Sequence, residues 1–135
     1  MSSFTADQFE SFRDAYIATM LWSTHDESDE SGGEPLDRNY CADDLSDEAQ
    51  DQIDAECKAF LYRVAGFIEA DPAAKFGPDF DLWGRAGHDF WLTRCGHGAG
   101  FWDGDWPVYG DMFTHVSKTF GNIDPLVGDD GLIHL

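Results

Sequence analysis

The fold turns on the run His88-Asp89-Phe90-Trp91-Leu92-Thr93-Arg94-Cys95-Gly96-His97-Gly98-Ala99-Gly100-Phe101-Trp102-Asp103-Gly104. From His88 to Thr93 the side chains alternate as in a strand, with Phe90 and Leu92 on one face and Trp91 and Thr93 on the other. Arg94 to Gly98 then supplies glycines where a chain reversal needs positive φ, and Phe101 and Trp102 fall on the returning strand. The run is expected to form a β-hairpin.

Working outward, the C-terminal stretch Pro125 to Leu135 holds two short apolar runs around Asp130-Gly131, a strong signal for a second hairpin. Upstream, Thr5 and Gln8 form a capping-box pattern, and Phe9, Phe12, Tyr16 and Met20 share one helical face, predicting a helix from about Thr5 to Trp22. Ser46 caps a second helix, with Asp47 and Glu48 beside its positive end and Ile53, Cys57, Phe60, Leu61, Val64 and Ile68 as a broad apolar stripe. Pro72 ends that helix near Ala70, and a Gly- and Pro-containing connection follows from Lys75 to Gly87. Trp106 and Pro107 open a third helix, in which Met112, Phe113, Val116 and Phe120 face inward and Gly121-Asn122 is the stop. Ser23 to Leu45 reads as a long acidic loop. The expected architecture is α+β: three helices packed on a small, mainly antiparallel sheet made of two β-hairpins, in a single domain over residues 1–135.

Composition narrows the function classes. The 135-residue chain has 27 acidic and 8 basic residues, a net charge of −19, and 42% hydrophobic content, which is too apolar for a disordered chain. A field of that sign repels nucleic acid and anionic membranes and attracts basic proteins, so the expected partner is a basic host protein that itself binds nucleic acid. Residues 1–56 carry 16 acids and two Arg, a net of −14, against a net of −5 for the remainder. Cys41, Cys57 and Cys95 have no metal-like or redox-like spacing and read as reduced thiols. The N-terminus lacks a basic region followed by an apolar run, and no stretch approaches the ~18 apolar residues of a membrane span, so a cytoplasmic location is expected.

The same run, residues 88–104, resembles one in a family of small, uncharacterised proteins of bacteriophages and related mobile elements. The resemblance extends to Leu21-Trp22-Ser23, to Glu34-Pro35-Leu36-Asp37 and to Val127-Gly128-Asp129-Asp130-Gly131-Leu132-Ile133, covering most of the chain. Family members usually carry Asn where Cys95 stands, which argues against a catalytic or ligand role for that thiol. The resemblance implies a phage or mobile-element origin. Small acidic phage proteins are often inhibitors of host defence, such as anti-CRISPR or anti-restriction proteins, or of host nucleic-acid enzymes, and some mimic the charge of DNA.

Two sets of residues are candidate sites. Asp26, Glu27, Asp29, Glu30, Asp43, Asp44, Asp47, Asp51 and Asp54 would supply carboxylates along a loop and a helix face, approximating a phosphate array to a basic groove. The competing account is a solvated acidic face, or adaptation to salt, since Asp outnumbers Glu by 20 to 7 and Lys occurs only three times. His88, Trp91, Arg94, His97 and Trp102 form a second set, a ligand or aromatic patch on the expected hairpin. Strand alternation would put His88 and Asp89 on opposite faces, and no nucleophile motif accompanies them, so catalysis is not expected. Trp106 extends that aromatic patch. Asp79, Asp81 and Gly84 loosely follow the start of a calcium loop, but Trp83 and Phe90 occupy ligand positions; neither a metal nor another cofactor is expected. The leading expectation is an accessory protein that binds and inhibits a host nucleic-acid-handling or defence protein. The alternatives are a small-ligand-binding protein or enzyme centred on His88–Trp102, or a structural or assembly component.

Overall fold

The computed structural model describes residues 3–26, 34–71, 81–96, 100–102 and 106–135. Among them are four helices: α1 (Ala6–Ser23), α2 (Asp47–Ala70), α3 (Leu82–Arg94) and α4 (Gly110–Lys118). Among the same residues the strands form two two-residue ribbons, β1 (His25–Asp26) with β2 (Glu34–Pro35) and β3 (Leu126–Val127) with β4 (Ile133–His134), both antiparallel. The expectation of three helices on a hairpin-built sheet is therefore corrected. The molecule is mainly helical, and no sheet underlies the helices among the described residues.

The correction centres on residues 88–94, which lie in α3 rather than in a strand. Asp81 supplies the N-cap, its Oδ1 accepting the Gly84 amide at 2.8 Å. Asp89 through Arg94 are all buried, so the helix has no polar face there to impose a period of 3.6. A uniformly buried six-residue window alternates as readily as it spirals. Tertiary packing resolves the ambiguity, because α1 covers α3 more extensively than any other pair of elements contact each other. Gly87, read as a loop residue, makes this contact close: a Cβ built there would lie 2.1 Å from the Phe12 carbonyl oxygen. Gly96, at a φ of +74°, ends α3 in the left-handed conformation rather than reversing a hairpin.

The starts of α1 and α2 and the C-terminal ribbon lie close to their signals, whereas the β1–β2 ribbon falls inside the 23–45 stretch read as a loop. Thr5 and Gln8 cap α1 reciprocally, at 3.1 and 2.9 Å, and Ser46 Oγ accepts the Ala49 amide at 3.0 Å to start α2. The third expected helix is shorter than read: Trp106 to Tyr109 form turns and α4 begins at Gly110. The C-terminal ribbon pairs Val127 with Ile133, and Ile133 also bridges to Leu45 in parallel, so the last residues are fastened to the start of α2.

All four helices contribute to the core. Phe60 of α2 and Phe90 of α3 stack with centroids 4.2 Å apart, flanked by Phe12, Tyr16, Phe101 and Phe120. Fully burying one such side chain contributes about 1.5–3 kcal/mol. No described helix is long and apolar enough to cross a membrane.

Candidate functional site

The acidic residues that can be placed fall into three groups. Asp43 and Asp44 lie in a 3₁₀ turn (Ala42–Asp44), and Asp47 and Asp51 follow on the first turns of α2. Asp43, Asp47 and Asp51 are exposed, and Asp44 is half-buried because its Oδ2 accepts the Cys41 amide at 2.8 Å. Among the described residues none of these four forms an ion pair. Asp54 differs, because Arg13 Nε is bound to its Oδ1. Its charge is locally matched, which removes it from an unpaired array. Asp26 belongs to β1. Glu27, Asp29 and Glu30 lie outside the described residues.

Asp47 and Glu48 also have a local purpose. They stand in the first turn of α2, where negative charge offsets the positive end of the helix macrodipole.

The second candidate set is dispersed by the helical geometry of α3. Trp91 is buried and donates from Nε1 to Ser23 Oγ at 2.7 Å, and Trp106 is buried as well. Trp102 remains 52% exposed. The expected aromatic patch of Trp91, Trp102 and Trp106 therefore does not form, because two of its three rings serve the core. His97 lies outside the described residues.

Arg94 is a structural clamp. Its Nε donates to the Gly121 carbonyl at 2.8 Å, Nη2 to the Phe120 carbonyl at 2.8 Å, and Nη1 to Glu56 Oε2 at 2.6 Å and Tyr16 Oη at 3.2 Å. The guanidinium carbon lies 5.6 Å from the centroids of both Phe90 and Phe120. One side chain thus joins α1, α2, α3 and the chain leaving α4. Burial pushes the Tyr16 hydroxyl pKa strongly upward despite the neighbouring cation, so it stays neutral. Burial alone would lower the Arg94 pKa, but Tyr16 and Glu56 more than offset it and raise it.

His88 and Asp89 do meet, contrary to the strand-based reading. In the helix, His88 Nδ1 lies 2.9 Å from Asp89 Oδ1. Asp89 is completely buried, and its Oδ2 accepts from Trp106 Nε1 at 2.7 Å with Arg85 Nε 3.4 Å away. An ionised carboxylate only accepts, so the contact places a proton on Nδ1. The Trp22 ring packs 6.0 Å from the imidazole. This orients a histidine, but no described serine, threonine or cysteine is hydrogen-bonded to it, and Asp89 is equally accounted for as the acceptor that satisfies Trp106. Among the described residues, no three His, Cys, Asp or Glu side chains group as metal ligands would.

Trp22, 45% exposed at the end of α1, is not among the candidate site residues named from the sequence. Its signal was present: it follows Asp14, Ala18 and Leu21 at helical spacing, on a face beside the core stripe. No family model, no curated protein and no solved structure matches the chain.

Proposed function

We propose that the chain is a phage-type accessory protein that binds a basic host protein, one that handles nucleic acid or acts in host defence, and inhibits it through an acidic, DNA-like surface. The observation that carries this reading is the run Asp43, Asp44, Asp47 and Asp51, which forms no ion pairs among the described residues. Asp47 and Asp51 stand one turn apart, a separation of about 6 Å along the helix axis. A DNA strand presents one charge per about 3.4 Å of axis, so such carboxylates supply charge at a comparable but sparser density. The net charge of −19 extends the attraction to the encounter stage, where opposite fields accelerate association.

The reading centred on His88–Trp102 as a small-ligand or catalytic site is weaker, because Trp91 and Arg94 are committed to the core. The inhibitor reading is tested by recovering partners from a host lysate at low and high salt, then measuring affinity for the purified partner with and without competing duplex DNA. The variant Asp43→Asn/Asp44→Asn/Asp47→Asn/Asp51→Asn keeps the Asp44 acceptor for Cys41 while removing four charges. It should bind more weakly and with a shallower salt dependence. Unchanged affinity and salt dependence in the variant, or a partner that DNA does not displace, would overturn the reading.

A further inference from the structure

Asp14, Ile17, Ala18, Leu21 and Trp22 fall on successive turns of α1, next to the face that Phe12, Tyr16 and Met20 turn to the core. The segment 37–42 passes in front of that face and brings Asp37, Tyr40 and Cys41 toward it. Between them is a cleft of about 440 Å³, within the roughly 300–1,000 Å³ typical of small-molecule sites. Ile17 and Leu21 are buried and form an apolar floor, Trp22 and Tyr40 are its aromatic walls, and among the described residues its carboxylates are Asp14 and Asp37.

Among the described residues, no Lys, Arg or His lines the cleft. The nearest cation to Asp14 is Arg13, at 3.9 Å and already bound to Asp54, and Asp37 has no ion pair among the described residues. Arg38 turns to Glu34, at 3.7 Å, and does not enter. The Trp22 ring is buttressed by the His88 ring, so the wall is held in place before any ligand arrives.

We propose that this cleft is a binding site for a small organic cation with an apolar body, such as an arylalkylammonium. The apolar body displaces water from Ile17 and Leu21, and the charge is met by the Asp14 and Asp37 carboxylates and the faces of Trp22 and Tyr40. Anions are excluded by the same two carboxylates and by the net charge of −14 in residues 1–56. The proposal does not rest on the inhibitory role given above.

The test uses the full chain and three probes at physiological ionic strength: 4-phenylbutylammonium, the uncharged 4-phenylbutanol, and a capped arginine amide representing a partner's side chain. Binding is followed by isothermal titration and by the rate at which iodoacetamide alkylates Cys41, the exposed thiol on the cleft wall. The ammonium should bind at a single saturable site, protect Cys41, and outcompete both the alcohol and the arginine amide by about tenfold or more. Asp14→Asn/Asp37→Asn should abolish that preference over the alcohol. By contrast Asp43→Asn/Asp47→Asn/Asp51→Asn, which lowers the overall charge outside the cleft, should change affinity by no more than about twofold at this ionic strength. Equal binding of the alcohol by the wild-type chain would overturn the proposal without any variant. So would saturation without protection of Cys41, equal binding of the arginine amide, or an equal loss in the variant outside the cleft.

Discussion

Replacing Arg94 by Met tests whether this residue is a clamp or a ligand-binding group. The substitution keeps much of the apolar stem and removes four hydrogen bonds, to Glu56, Tyr16, Phe120 and Gly121, together with the contacts to two phenylalanine rings. Removing one partner of a buried ion pair typically costs about 3–5 kcal/mol. Glu56 retains some access to water, which places the expected cost near the lower end, about 3 kcal/mol. With a urea slope of about 1.5 kcal/mol per M, the unfolding midpoint should fall by about 2 M. Circular dichroism at pH 7 reads this directly, and Arg94→Lys should recover little of the loss, because an ammonium lacks the planar fork that reaches several acceptors at once. A midpoint within about 0.3 M of wild type for Arg94→Met would refute the clamp.

Three further outcomes follow from the geometry. Gly87→Ala should destabilise by about 2–3 kcal/mol and lower the melting temperature by about 8 °C or more, since its Cβ would meet the Phe12 carbonyl oxygen; an unchanged melt would show that α1 and α3 separate freely. A thiol-reactive disulfide should label Cys41 rapidly in the native protein and Cys57 only on unfolding, because Cys57 is enclosed and burial raises its pKa well above the ordinary thiol value; equal rates would contradict the packing of α2. The Leu132 amide and then His134 hold the Asp130 pKa below its ordinary value, so its stabilising effect is present above the unfolded pKa and is lost as pH falls through the folded one. The gap in urea midpoint between wild type and Asp130→Asn should therefore narrow as the pH is lowered from about 5 toward 2, and a constant gap would contradict this contact.

The parts of the fold legible in the sequence are those whose signal is local. Thr5 with Gln8, and Ser46 with Asp47 and Glu48, announce α1 and α2 because capping chemistry is complete within four residues. Asp130-Gly131 announces the C-terminal ribbon for the same reason, with Gly131 at a φ of +77°. The helix α3 was hidden because residues 89–94 are buried without interruption, leaving no alternation of exposure to read there, and because Gly84 and Gly87 act as points of close approach rather than as turn residues. That one misreading carried others with it. It separated His88 from Asp89, left Trp91 on the face away from the core and placed Arg94 in a ligand patch, whereas its acceptors come from residues 16, 56, 120 and 121. The acidic run was visible as composition, but the pairing of Asp54 with Arg13 depends on how α1 and α2 face each other. The cleft required a packed structure, since half of its wall arrives from the 37–42 segment.

The fastening of Ile133 to Leu45, reinforced by the Ser46 amide donating to the Ile133 carbonyl at 3.0 Å, has a consequence for biosynthesis. Translation proceeds at about 5–20 residues per second, so the 88 residues from Leu45 to Ile133 take roughly 4–18 s to make. Throughout that interval the nascent chain has its best helix, α2, with the start of that helix still lacking its native neighbour. Within it, Phe60 on the apolar stripe of α2 has Phe12 of α1 as a neighbour and waits for Phe90, Phe101 and Phe120 to complete its cover. The acids crowded into residues 1–56 emerge before α3 and α4, and their mutual repulsion keeps neighbouring unfinished chains on a polysome apart while that stripe waits for its cover.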